Sequence, residues 1–470
     1  MRGAGSLRRD RGIDMTRRAH AASIILLLAG ALLSFASPVR SQGSLSTRLD
    51  LRTAVEKAIE GNPVTKSADS RVKIAEAKIR ESAAGTKPSV SFSQSVVRSN
   101  NPVFVFGSLL EQGRFGPSNF SIDSLNNPVG LVNFRTQVNA QMSLFDQRQT
   151  STRVSLAEIG RQQSVLMAEA ARQQLRFEVI KTYYGVILER SLVKVTEDAV
   201  VTAGANRKKT GDMVYVGMTT EADLLAADVE FAGADQRRLE AQSQLTITLA
   251  SFNVTIGEKP DLDHQLAGDL SERFFPAEDL SELMRLAVEN RPDYRRILLD
   301  VEKSRLQLKS VRDQRLPRID AFGNLGYSSP YIANGSSDYT LGVNLTYSLF
   351  DPGRKARTEQ AVEGEVLAAL ERDDLGNKIR MDVIRSQQAF KTSEAKIRVS
   401  IKSIGQAEEA LRIIDDRYKF GLTTFNEVLR ANSALIRAKQ DLMTTRYEYY
   451  VSFARLLLAT GRLDDVRWFD

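Results

Sequence analysis

Cysteine is absent from all 470 residues. Its absence excludes a disulfide framework, a thiolate metal site, a cysteine nucleophile and a lipid anchor on a Cys after the leader. Histidine is nearly absent: His20 falls in the leader, and His264 stands alone in a linker, where a single imidazole is ordinarily just solvated. There is no HExxH and no GxxxxGK phosphate loop. Carboxylates are plentiful but spread among Lys and Arg along helix faces, as on a solvated coiled coil. The convergent titratable set that catalysis needs is missing. The chain is therefore read as no enzyme, with no catalytic residue, metal ligand or cofactor assigned.

Charge of one sign is also scarce once the N-terminus is set aside. Residues 1–40 hold seven Arg and two Asp, leaving 58 basic and 56 acidic side chains in the remainder, close to neutral. Nucleic-acid binding gains no support. Arg17-Arg18, the apolar run Ala21 to Phe35 and the small residues ending at Ala36 read as a secretory signal peptide, residues 1–36, cut after Ala36. Its apolar core is shorter than the roughly 20 residues a spanning helix needs. Met15 would open a more ordinary leader than Met1. After it no run approaches about 18 apolar residues, which excludes transmembrane helices and leaves strands as the route into a bilayer.

Proline is missing from Gly353 to Asp470, so nothing there forces the backbone out of helix. Val362, Ala369, Val383, Phe390, Ile397, Ile404, Leu411 and Tyr418 fall at multiples of seven, interrupted by Gly376, the mark of a coiled-coil seam. A helix over 353–420 spans roughly 100 Å. Ahead of it, Tyr339, Leu341, Val343, Leu345, Tyr347 and Leu349 alternate with small polar residues, the period of a strand with one greasy and one wet face.

The chain reads as two copies of one unit. Leu51 to Gly61 recurs as Leu280 to Asn290, Pro88 as Pro317, Met142–Asp146 as Tyr347–Asp351, and Gly217–Thr220 as Gly421–Thr424. The first repeat, 37–260, predicts strands near 89–97 and 134–145 and helices near 148–210 and 219–256. A linker occupies 261–279. The second repeat, 280–463, predicts strands near 318–327 and 338–349 and helices near 353–420 and 424–460, with a tail at 464–470. The extra residues of the first copy fall in Pro102–Asn127, whose phenylalanines predict an ordered cap. Strands of about ten residues match the roughly 9–11 of a tilted membrane strand. In hydrocarbon each unpaired backbone group costs several kcal/mol, so open edges are excluded. Four strands cannot close when barrels start at eight, so several chains must pool theirs. Two adjacent apolar stripes on 424–460, Val428, Leu435, Leu442, Tyr449, Leu456 and the residues after each, let every helix touch two neighbours. The competing readings are a periplasmic coiled-coil scaffold without a pore and, less favoured, an uptake porin.

Strands passing directly into very long paired helices, twice, behind a leader, resemble the TolC-like outer-membrane efflux proteins. The resemblance is carried by Leu51–Pro63 with its copy Leu280–Pro292, by Leu316-Pro317, by Tyr347–Gly353 and by Arg417–Thr424. It implies a mixed α and β fold in which a homotrimer closes a 12-stranded β-barrel in outer-membrane lipid, continuous with an α-barrel of antiparallel coiled-coil helices. It implies an exit duct for efflux or type I secretion, docking on a periplasmic adaptor and an inner-membrane pump. By the same resemblance the turns 212–220 and 419–424 face the inner membrane, with Gly217 and Gly421 reversing the chain and Thr219, Thr220, Thr423 and Thr424 as caps or adaptor contacts. Asp223 and Glu427 would line a cation-retaining periplasmic gate, with Tyr418 as a latch. Arg430, where the family pattern has an acid, would supply a salt link. The cargo is not legible.

Overall fold

The computed structural model describes residues 48–271, 273–464 and 466–469. The expected leader and its cut after Ala36 lie outside the described residues. Asp50 caps α1 (Leu51–Gly61) by accepting from the Thr53 amide at 2.8 Å. Asn62 ends that helix and starts the next, α2 (Pro63–Ala83), accepting from the Val64 amide with Pro63 in the first turn. The same break recurs at Arg291-Pro292 between α7 (Leu280–Asn290) and α8 (Pro292–Asp313).

The two long helices of the first half, α5 (Gln149–Tyr215) and α6 (Glu221–Thr255), fall in the stretch between Pro128 and Pro260, which contains no proline. Their counterparts are α9 (Arg354–Lys419) and α10 (Phe425–Ala459). At 1.5 Å per residue α5 and α9 each run about 100 Å. Along the α9 seam Val383, Phe390 and Ile397 are buried, while Val362 at its start is half exposed. Among the described residues no helix is long and apolar enough to cross a membrane.

Four strands, β1 (Ser89–Ser99), β2 (Leu131–Asp146), β3 (Arg318–Ser329) and β4 (Ser336–Thr346), form one antiparallel sheet in that order. The register puts Ser91, Asn139, Asn324 and Thr340 side by side on one face. One residue away, Phe92, Val138, Leu325 and Tyr339 line the other. That apolar face is uncovered: Leu341 is 77% and Phe92 69% exposed. Gln94, which interrupts it, hydrogen-bonds to Thr136 directly opposite. β4 stops at Thr346, short of the expected 349, because its partner β3 begins at Arg318, opposite Thr346. The segment 102–127 is ordered, as expected, but as helices: α3 (Pro102–Glu111), a 3-10 turn and the short α4 (Ile122–Asn126).

The largest core lies midway along the helices and is aromatic. The Phe275 ring stacks on Phe453 at 4.1 Å and Phe390 on Tyr449 at 5.1 Å, while the Tyr449 hydroxyl accepts from the Phe275 amide at 2.9 Å. The end of the chain closes over this core. Phe469 is buried against Phe275 and Tyr184, and the Gln173 amide donates to Gly461 O and Asp464.

Candidate functional site

The site predicted from the sequence lies where α5 turns into α6 and α9 into α10. Both turns are built alike. The amide of Met218 donates to Met213 O and that of Gly217 to Val214 O; Leu422 and Gly421 do the same to Arg417 O and Tyr418 O. This paired closure needs a left-handed residue after the helix, and Gly217 and Gly421 supply it with φ of 76° and 68°. A side chain there would strain the backbone although nothing crowds it.

The caps that follow are not alike. Thr220 starts α6 with a full capping box: its hydroxyl accepts from the Asp223 amide at 3.3 Å while the Asp223 carboxylate accepts back from Thr220. Thr219 donates to the same carboxylate oxygen at 2.6 Å. The Thr219 bond, reinforced by those from Thr220 and opposed by slight burial, holds the Asp223 carboxyl below its usual range. Thr424 occupies the same position on α10 but makes no side-chain cap bond, so the cap expected from it is not formed. Its acid, Glu427, is one methylene longer and is taken instead by Arg430 at 3.2 Å, a neighbour one turn along the same helix. The predicted Arg430 salt link thus runs within one helix. Thr423 is half-buried in the turn and Thr424 exposed.

Tyr418 does not reach outward as a hydrogen-bonded latch. It is buried with Ala227, Phe425 and Val428 in a small core behind the turns, its ring 5.6 Å from Phe425, and its hydroxyl is enclosed without a hydrogen-bond partner. The physical reason is its place at the end of the heptad seam, which turns it toward the neighbouring helices.

Sequence reasoning missed a charged bridge beside it. Lys209 of α5 pairs with Asp415 of α9 at 2.7 Å, and Lys419 reaches Asp415 at 3.1 Å and Asp416 at 3.0 Å. Burial pushes the Asp415 carboxyl up, but the bonds from Lys209 and Lys419 outweigh it and hold the carboxyl below its usual range. Lys209 also sits 5.5 Å from the Tyr418 ring centre. These residues lie at neither glycine nor cap, so only the pairing of α5 with α9 in space reveals them. Among the described residues no cluster of three or more His, Asp or Glu could hold a metal.

A two-faced antiparallel sheet leading into helices of this length, with charged turns at the far end, is a known arrangement. The model of the outer membrane efflux protein family matches residues 54–258 and 283–462. The outer membrane protein TolC of Vibrio cholerae is 23% identical over 340 residues, covering 70% of this chain and 76% of that protein. The outer membrane efflux protein BepC of Brucella suis is 21% identical over 448 residues, 93% and 90% of the two chains. The Campylobacter jejuni CmeC outer membrane channel superposes with a TM-score of 0.73 at 18% identity, over 88% of this chain and 85% of that one. With four-fifths of its length matched by that model, the chain belongs to the outer membrane efflux protein family: it is a conduit seated in the outer membrane and reaching into the periplasm, not an enzyme.

Proposed function

We propose that three copies of this chain build one exit duct. The observation that carries the reading is the sheet: an uncovered apolar face, a polar face, and two unpaired edges, β1 and β4. Adjacent strands alternate in direction, so β4 of one chain meets β1 of the next antiparallel, and three chains close 12 strands with no edge left in lipid. The apolar face meets outer-membrane lipid and the polar face becomes the lumen. The helices continue the wall as an α-barrel, and their exposed apolar residues, among them Leu225 and Val229 on α6 and Leu367 and Leu370 on α9, supply contacts for neighbouring copies.

The recurring order of helix pair, two strands and long helix pair supports an internal duplication, with a first repeat over 37–260, a linker, and a second over 280–463. The turns at Gly217 and Gly421, with Thr219, Thr220, Thr423 and Thr424, dock on a periplasmic adaptor that couples the duct to an inner-membrane pump. Asp223 and Glu427 form the periplasmic gate, with Arg430 as the counter-charge of Glu427 and Tyr418 as its packed pivot. Carboxylates lining a narrow pore retain cations and disfavour anions. Transport through the duct is passive, with energy supplied by the pump.

The duct is tested by extraction from the outer membrane as a heat-sensitive trimer; recovery as a soluble periplasmic protein would favour the poreless scaffold. The gate is tested by conductance of the Asp223→Ala, Glu427→Ala double variant. Unchanged current and cation selectivity would remove the gate assignment.

A further inference from the structure

The segment between β1 and β2 crosses the sheet. Asn101 caps α3 by accepting from the amides of Val103 and Phe104 at 3.0 and 3.2 Å. The helix then packs against β2, β3 and β4 at the end of the sheet remote from the long helices. Val105, Ser108 and Gln112, spaced on one face, are buried there. The Gln112 amide donates to Val132 O and to Asn133, both at 3.0 Å. Glu111 pairs with Arg135 at 3.0 Å, and Arg135 reaches on to Asp338 at 3.2 Å and Ser328 at 2.9 Å. The pairing register assigns Asn133, Arg135, Ser328 and Asp338 all to the polar face. The helix is therefore fastened to the face opposite the apolar one.

The other side of α3 is apolar and uncovered. Val103, Phe106 and Leu110 form a stripe of their own, with Val103 82% exposed. Phe106 is buttressed from behind by Phe115 at 4.8 Å, itself backed by Phe120 at 5.0 Å.

We propose that α3 is an inward-folded lid at the outer mouth of the duct, whose occupant is the same stripe of the two other copies. The inference rests on the closed-trimer reading. If the polar face is the lumen, a helix standing on it with its apolar stripe turned away from the wall presents that stripe to the axis. Three copies then oppose Val103, Phe106 and Leu110 across the mouth, an apolar constriction that excludes water and ions by dewetting. Arg135 is the fastening between lid and wall.

The absence of native cysteine makes the test direct. Ser91→Cys places a thiol on the polar face, four residues deeper along the register than Arg135, and Val90→Cys places one on the apolar face. A bulky membrane-impermeant maleimide is added outside intact cells, where the periplasmic gate does not intervene. On heat-sensitive trimers, Ser91→Cys should label slowly with the lid native. It should label about tenfold faster or more when Arg135→Ala or Val103→Asp with Leu110→Asp is added. The latter pair changes exposed side chains only, so the wall folds unchanged. An unchanged Ser91→Cys rate in both lid variants overturns the lid. With the lid opened by either variant, Val90→Cys labelling as fast as Ser91→Cys overturns the barrel, and the lid with it.

Discussion

The two turn caps differ in a way that can be measured. Thr220→Ala removes a hydroxyl that accepts from the Asp223 amide at 3.3 Å and donates to its carboxylate at 2.8 Å. Losing such a cap costs about 1 kcal/mol. The carboxylate keeps the Thr219 hydroxyl at 2.6 Å and the Thr220 amide at 3.3 Å, so the turn is weakened without being dismantled. One kcal/mol is roughly a fivefold change in a local opening equilibrium, which amide hydrogen exchange reads directly. Exchange at the Asp223 and Leu224 amides, which are bonded to Thr220, should accelerate about fivefold in Thr220→Ala. Thr424→Ala removes no side-chain bond and should leave 425–428 within a few tenths of a kcal/mol of the parent. Equal acceleration at the two turns, or none at the first, would refute the asymmetry. The pH dependence has a definite sign. Because the Asp223 carboxyl is held below its ordinary value, its contribution is fully present above about pH 3.9. It is lost only as pH falls through the lower folded value. Between pH 7 and 5 the Thr220→Ala difference should therefore hold constant.

Further outcomes follow from the middle of the molecule. Arg291 bridges Asp293 at 2.7 Å and Asp382 at 2.8 Å and donates to Ala459 O at 3.2 Å. Arg291→Ala should cost about 3 kcal/mol by denaturant titration, given the partial exposure of its partners. Arg291→Asn should recover part of this, because Asn62 occupies the matching break and donates to Thr255 O at 2.9 Å; an Asn variant no better than Ala contradicts that equivalence. Phe469→Ala should destabilise the aromatic core by about 3 kcal/mol, read as earlier proteolysis around Arg467–Phe469 on heating. Lys209→Ala should loosen α5 from α9 near the turns, detectable as a larger spin-label separation there, with no change in the sheet.

Much of the fold was legible because its periods are long and clean. The alternation through Tyr339, Leu341, Val343 and Leu345 marks a strand that the structure contains, and the seam residues Val383, Phe390 and Ile397 are buried as their spacing requires. The helices of 102–127 were not legible. Val103 to Leu110 is apolar nearly throughout, and a run without polar punctuation does not reveal whether its period is two or 3.6. At the turns, Thr220 with Asp223 and Thr424 with Glu427 share one pattern in the sequence. The longer acid and the arginine three residues on decide that only the first closes a box. Tyr418 shows the converse case. Its place in the heptad seam points to burial, and the structure buries it behind the turns.

The long helices α5 and α9 each follow a strand, and the two elbows that join them are made differently. Gln147 and Arg148 both adopt left-handed backbone between β2 and α5, and the Gln147 amide is anchored on Gln314 O at 3.0 Å and on Leu316 O. Between β4 and α9 the turn is Asp351-Pro352-Gly353, where Asp351 accepts from the Gly353 amide at 3.1 Å and pairs with Arg357. A stave gripped along its length by ladder bonds resists rotation, whereas an elbow held by a few side chains yields first. In the duct proposed above, torsion arriving from the periplasmic end is taken up at these elbows before it reaches the strands.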